Sequence, residues 1–263
     1  MTTAITTSYE GSTCVIALKS PPLNLVTVDL LKALDAAFEE ARNDDRVACV
    51  LITGDGDRAF CAGSDLNQTL ALKESGRFIE DKLTYETNVL SSIAEFPKPV
   101  IAAIEGVAFG GGLEIASCCD LVFASTASRF ALPEINIGGF PPTGVLRVGR
   151  LIGLSRLKQL VLLGKPIDAQ TALSWGLCNQ LFEPGQVSSG ALEQAVTFER
   201  LPKRALQYTK RALEAVAGVD DRALLSGVLE LSGALAKTKD GLAGARSFIA
   251  KKPPVFTDKI NRQ

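Results

Sequence analysis

The sequence predicts an α/β protein with mainly parallel strand pairing, and three observations carry that expectation. The near-continuous apolar runs "VACVLITG" (47–54), "PVIAAI" (99–104) and "DLVFAS" (120–125) have the character of strands buried on both faces. Segments with apolar residues at helical spacing lie among them. From about residue 153 onward the pattern turns helical, so an α/β part is followed by a helical one.

In chain order, "TCVIALKS" (13–20) reads as a strand stopped by Pro21-Pro22. Residues 28–42 place Leu30, Leu34, Ala37 and Ala41 at helical spacing, with Thr27 positioned as N-cap. Residues 77–95 place Ile79, Leu83, Leu90 and Ile93 on one helical stripe. A short helix is expected from about 112 to 119. Ser155 is expected to cap a helix that ends at Gly164, and Asp168 one that ends at Gly176. Residues 190–217 read as one or two helices around Pro202, and Leu224, Val228, Leu231 and Leu235 form a stripe after Asp220-Asp221. The α/β pattern itself runs to about 150. The domain boundary is placed after 195, giving a core of residues 1–195 and a helical C-terminal region of 196–263. No internal repeat and no low-complexity segment is apparent.

Composition narrows the class. A chain of 263 residues, 46% hydrophobic and 22% charged, is long enough to bury a sizeable core. Its net charge of −1, without a run of Lys or Arg, points away from nucleic acid and anionic membranes. "MTTAITTSYEGST" lacks a basic start and an apolar core, so no secretory signal is expected. The apolar segment 99–124 is interrupted by Glu105 and Glu114 and reads as protein core rather than a membrane span. The six cysteines form no C-x-x-C pair and sit among apolar residues, which suits reduced, buried thiols in a cytoplasmic protein. There is no histidine, so His-based triads and His-based metal sites are excluded. Acid–base chemistry would fall to carboxylates, Lys, Tyr or Cys.

The most informative stretch is "AFGGGLEIA" (108–116). Gly110, Gly111 and Gly112 precede a helix, where free backbone N–H groups can hold an anion or a developing negative charge. A tight strand-to-helix turn without a ligand would use the same glycines. "RAFCAGSDL" (58–66) is a second small-residue turn after a strand. If each segment donated one N–H to the same oxygen, the pair would form an oxyanion hole. Glu114 and Glu134 both lie among apolar residues. Each alone suits a structural role; together they could share a water and divide the general acid and general base roles. Neither a dinucleotide fingerprint nor a P-loop is present.

The ordered set "AFCAGSDL", "VAFGGGLEIASCCDLVFAS", "FALPEINIG" and "ALSWGLCNQLF" resembles the crotonase superfamily, and within it the enoyl-CoA hydratase/isomerase family. The likeness runs from "PPLNLVTVDLLKALDAAFEEARNDDRVACVLITG" to "GARSFIAKKPPVF". It implies a crotonase-like spiral of ββα units with a helical C-terminal trimerisation region, and a homotrimer or a hexamer built as a dimer of trimers. It also implies an acyl-CoA thioester as substrate. Coenzyme A is then part of the substrate, with no separate cofactor, no metal, no nucleic acid and no membrane partner. The resemblance assigns the two oxyanion N–H groups to Ser64 and Gly111 and the two hydratase carboxylates to Glu114 and Glu134. It places Ala62, Gly63, Asp65, Leu66, Gly110, Pro141 and Pro142 against the substrate. Phe248 and Lys251 would lie near the CoA of an adjacent subunit, the latter less firmly because Lys252 follows it.

One segment departs from the family. Typical hydratases read roughly G-x-x-P-G-x-G-G-T-Q-R after the second glutamate; here "GGFPPTGVLR" (138–147) puts Pro142 where a glycine N–H helps hold the catalytic water. The segment is also one residue shorter before Arg147. Two outcomes follow: the loop rearranges and the glutamates hold the water, or the pocket takes a bulky or cyclic acyl group or runs another reaction. The resemblance therefore implies hydration or dehydration of an α,β-unsaturated acyl-CoA. Double-bond isomerisation is the alternative, and an RNA-binding relative without catalysis a third reading that the neutral charge disfavours. Asp65 and Asp120 suit structural hydrogen bonding, Glu105 a turn and Trp175 helix packing.

Overall fold

The computed structural model describes residues 4–216 and 221–256. Its chain opens with an antiparallel hairpin, β1 (Ile5–Glu10) and β2 (Thr13–Leu18), turned at Gly11 with φ +58°. β1 gives no sequence signal because every residue after Ile5 is exposed. α1 (Val28–Asn43) follows, with Thr27 accepting from the Leu30 N–H as expected. It buries Leu30, Leu31, Leu34, Ala37, Phe38 and Ala41. Phe38 meets Phe96 edge-on, with ring centres 4.9 Å apart.

Three further units each supply a long strand, a short strand and a helix. β3 (Cys49–Gly54) and β4 (Ala59–Cys61) precede α2 (Leu66–Glu74). A π-helical turn, Ile79–Leu83, then runs into α3 (Thr84–Ala94), so the expected 77–95 helix is present but begins with a wider turn. β5 (Val100–Ile104) and β6 (Val107–Phe109) precede α4 (Gly111–Ser117). β7 (Leu121–Ser125) and β8 (Arg129–Ala131) precede a 3-10 turn, Glu134–Ile137, and α5 (Pro142–Ile152). The ββα repetition is one of geometry: the units differ in length and share no repeated sequence.

The rest of the chain is α6 (Leu154–Leu163), β9 (Ile167–Asp168), α7 (Ala169–Trp175), β10 (Gln180–Phe182), α8 (Val187–Glu199), α9 (Lys203–Val216), α10 (Asp221–Ala236) and α11 (Lys239–Ile249). Asp168 caps α7 by accepting from the Thr171 N–H, and Gly176 closes it in the left-handed region. Ser155 is not a cap. Gly153, at φ +78°, occupies that position and α6 begins at Leu154, because the turn from α5 needs a left-handed residue there.

The long strands form one sheet in the order β1-β2-β3-β5-β7-β10, and the short strands a second in the order β4-β6-β8-β9. Pairing is parallel except at β1/β2 and β8/β9. The apolar runs are buried on both faces, as expected. Val50, Ile52, Ala102 and Ile104 join the main core with α1 and α3, while Cys49, Leu51, Ile101, Ala103 and Phe123 pack against Val187, Ala191 and Ala195 of α8. The expected 195/196 boundary lies within α8, which packs on the sheet. The six cysteines are unpaired, five of them buried and Cys119 partly so.

In α10, Leu231 is 65% exposed while Leu225 and Ser232 are buried, so the expected stripe is rotated; the side chain of Leu224 lies outside the described residues. α11 packs against α2 and the 3-10 turn. A Cβ on Gly244 would stand 2.4 Å from the Ile137 carbonyl oxygen, so only glycine allows α11 this close to the turn that carries Glu134. Among the described residues, no helix is long and apolar enough to cross a membrane.

Candidate active site

The two small-residue turns meet. A Cβ on Gly63 would lie 3.1 Å from the Phe109 carbonyl oxygen and 3.8 Å from Gly110 Cα, so the 62–66 turn rests directly on the glycine run. The backbone around Ser64 is fixed against the start of α1: Val26 N–H donates to Gly63 O at 2.9 Å and Asp65 N–H to Val26 O at 3.0 Å. Gly110, at φ +51°, donates its N–H to Ala131 O at 2.9 Å and turns the chain into α4. Gly111 is then the first helical residue, where an N–H has no intrahelical acceptor. A Cβ on Gly112 would come within 2.2 Å of the Cys61 carbonyl oxygen, so this glycine is dictated by α4 lying against β4.

A cavity of about 250 Å³ opens beside these turns. Ala62, Gly63, Ser64, Leu66, Gly110, Glu114, Glu134, Pro141, Pro142 and Phe248 all line it. Gly111 sits just behind the lining; a Cβ there would be 3.8 Å from Ser64 Oγ. Asp65 faces elsewhere, its carboxylate capping α2 by accepting from the Asn67 and Gln68 N–H groups at 2.8 and 3.1 Å. Lys251 lies just past the end of α11, in a left-handed turn at φ +52°. Phe248 borders this chain's own cavity. A second cavity of about 370 Å³, between the end of α3 and α9, contains none of these residues.

Glu114 is 6% exposed and its Oε1 accepts from the Gly144 N–H at 2.8 Å. Pro142 occupies the first position of α5, where its missing N–H costs nothing, and the helix start turns the Gly144 N–H onto the carboxylate. Glu134 opens the 3-10 turn, and its Oε2 is buried without a hydrogen-bond partner among the described residues. Its Oε1 lies 2.8 Å from the point a Cβ on Gly110 would occupy. Both carboxyls are held well above the usual carboxylate range, in each case chiefly by burial. The charge of Glu134 and then that of Glu86 raise Glu114 further, against the Gly144 N–H and Lys82. Glu86 also raises Glu134, against that residue's own backbone N–H.

Three cavity residues carried no signal in the sequence. Lys82 and Glu86, 1% and 4% exposed, form an ion pair at 2.9 Å, and the Lys82 ammonium also donates to Ser64 Oγ at 2.9 Å. Thr69 of α2 is also buried and lines the same cavity. A Lys and a Glu four residues apart read as a solvated helical pair, and only the absence of other charges on the Leu83–Leu90 stripe could have hinted at burial. Asp120 is structural: it accepts from the Val100 N–H at 2.7 Å and pairs with Lys210. Glu105 accepts from the Gly185 N–H at 2.7 Å beside a left-handed Gly106. Trp175 packs on the core under Arg156.

The chain is similar to known proteins over nearly its whole length. A family model described as enoyl-CoA hydratase/isomerase matches residues 8–259. A short-chain-enoyl-CoA hydratase of Clostridium acetobutylicum is 34% identical over 246 residues, covering 92% of this chain and 93% of that protein. A carnitinyl-CoA dehydratase of Salmonella enteritidis is 31% identical, covering 97% and 99%. Among solved structures, a carnitinyl-CoA hydratase from Mycobacterium avium superposes with a TM-score of 0.85 at 30% identity, over 97% of this chain and 99% of that one.

Proposed function

The chain belongs to the enoyl-CoA hydratase/isomerase family, and on that premise we propose that it adds water to, or removes it from, an α,β-unsaturated acyl-CoA thioester. The observation that carries this reading is the pair of buried carboxyls, Glu114 and Glu134, on one cavity beside the Ser64 and Gly111 turns. Attack of water on the β carbon builds negative charge on the thioester oxygen. On this reading the N–H groups of Ser64 and Gly111 receive that charge, and loss of one such donor typically costs about 3 kcal/mol. One glutamate takes the proton from water and the other delivers a proton to the α carbon. Burial together with mutual repulsion favours a state in which one carboxyl keeps its proton while the other is ionised, which is the state this division of roles needs.

The CoA moiety is the handle of the substrate and supplies binding energy that positions the acyl group. In the Pro142 segment the start of α5 directs the Gly144 N–H at Glu114, which fixes that carboxyl for its part in the reaction. Exposed Leu154, Leu162, Leu163 and Leu213 favour association into a homotrimer or a dimer of trimers. The test is loss of the conjugated-thioester absorbance on mixing with trans-2-enoyl-CoAs, with water incorporation followed in isotopically labelled solvent. Turnover that persists in the Glu114→Ala/Glu134→Ala double variant would sink the two-carboxylate mechanism. Movement of the double bond without label uptake would establish isomerisation instead.

A further inference from the structure

One side of the cavity is not built for hydrocarbon. The Lys82 ammonium spends two of its three donors on Ser64 Oγ and Glu86 Oε2, and both Lys82 and Glu86 line the cavity. Glu86 Oε1 lies 3.1 Å from the point a Cβ on Gly111 would occupy, so the ion pair adjoins the glycine run. Thr69 lines the same cavity from α2, and its Oγ1 is buried without a hydrogen-bond partner among the described residues. A saturated hydrocarbon chain drawn into this space would press methylenes against a buried ion pair and an unsatisfied hydroxyl, with nothing to offset their desolvation. An oxygen on the acyl chain would instead accept from the third ammonium donor or hydrogen-bond the threonine hydroxyl.

The charge balance decides which kind of oxygen fits. Glu86, Glu114 and Glu134 face the cavity together with Lys82 and Lys73. The Lys73 ammonium donates to Gly241 O at 3.0 Å and lies over the Phe78 ring, which lines the same cavity. With one of Glu114 and Glu134 protonated, two carboxylates meet two ammonium groups, so no surplus positive charge is left to hold an anionic acyl group. We propose that the preferred acyl chain carries a neutral oxygen substituent, a hydroxyl or keto group, bound by Lys82 and Thr69. This rests on the acyl-CoA reading above and assigns Lys82, Glu86 and Thr69 to acyl specificity.

Calorimetric dissociation constants test it without requiring turnover. The ligands are hexanoyl-CoA, its hydroxy and keto analogues at carbons 4, 5 and 6, and the terminal carboxylate analogue adipoyl-CoA. At least one neutral oxygenated chain is expected to bind about tenfold or more tighter than hexanoyl-CoA, with adipoyl-CoA weaker than that chain. Lys82→Met/Glu86→Met and, separately, Thr69→Val are each expected to reduce the preference, taken as a ratio within each variant so that general weakening cancels. If the double variant does not fold, the threonine variant alone decides. A ladder in which no neutral oxygenated chain exceeds hexanoyl-CoA, or tightest binding of adipoyl-CoA, overturns the proposal. Preference in binding without hydration of any matching 2-enoyl-CoA would leave the specificity standing and remove the hydratase reading instead.

Discussion

Replacing Glu114 by Gln should slow the enzyme and stabilise the protein at the same time. The amide oxygen can still accept from the Gly144 N–H, so the side chain keeps its place against α5. The variant cannot exchange a proton, and loss of one positioned acid or base typically costs 10²- to 10⁴-fold in kcat. Stability moves the other way because the folded state raises the Glu114 carboxyl from 4.5 to about 8. A group raised in the folded state stabilises it fully below the unfolded value, and that contribution is lost as pH climbs through the folded value. Wild type therefore loses stability on the order of a few kcal/mol between about pH 5 and 8 from this residue. Gln loses none. Thermal unfolding of both proteins at pH 5 and pH 9 should show similar Tm values at the lower pH. At the higher pH the variant should lead by roughly 5–10 °C. A variant within threefold of wild-type kcat, or one less stable than wild type at pH 9, would refute the reasoning.

Two other expectations follow from the same geometry. With both carboxyls raised by burial, hydration needs one protonated and the other ionised, so kcat/KM should peak above the usual carboxylate range and fall on both sides; a flat profile from pH 5 to 9 would contradict the shared-proton arrangement. Gly112→Ala should fail to fold or lose several kcal/mol, since its Cβ meets the Cys61 carbonyl oxygen at 2.2 Å, whereas Gly110→Ala meets only the mobile end of Glu134 and a strained φ. The second should therefore remain folded by circular dichroism with reduced hydration, and equal folding of the two would argue against the backbone contact.

Much of this was readable from the residues, and what escaped did so for identifiable physical reasons. Strands buried on both faces announce themselves as unbroken apolar runs, which is why β3, β5 and β7 were expected close to where they lie. β4, β6 and β8 are only three residues long, too short for any period to show, and the second sheet went unread with them. The glycine run before Glu114 was legible as a motif, and at Gly112 it is dictated by a backbone contact that no other residue permits. Consecutive prolines at 141 and 142 suggested a loop, although Pro142 is well suited to the first position of α5. Lys82 and Glu86 were missed because burial, not residue type, separates a cavity wall from a surface pair, and burial depends on distant elements such as α10, which packs on the turn that carries Lys82.

Ser232, Leu235, Ala236 and Phe248 of the last two helices form part of the cavity wall, and Lys73 of α2 is tied to Gly241, 168 residues away. Every residue assigned to proton transfer is synthesised well before that wall exists. A nascent chain could thus complete its sheets and its oxyanion turns while the cavity still stood open to water. Contacts of such long sequence separation form slowly. The competence to act on a thioester should therefore appear as the final event of biogenesis, and an emerging chain would carry buried-type carboxyls that are, for a time, ordinary solvated acids.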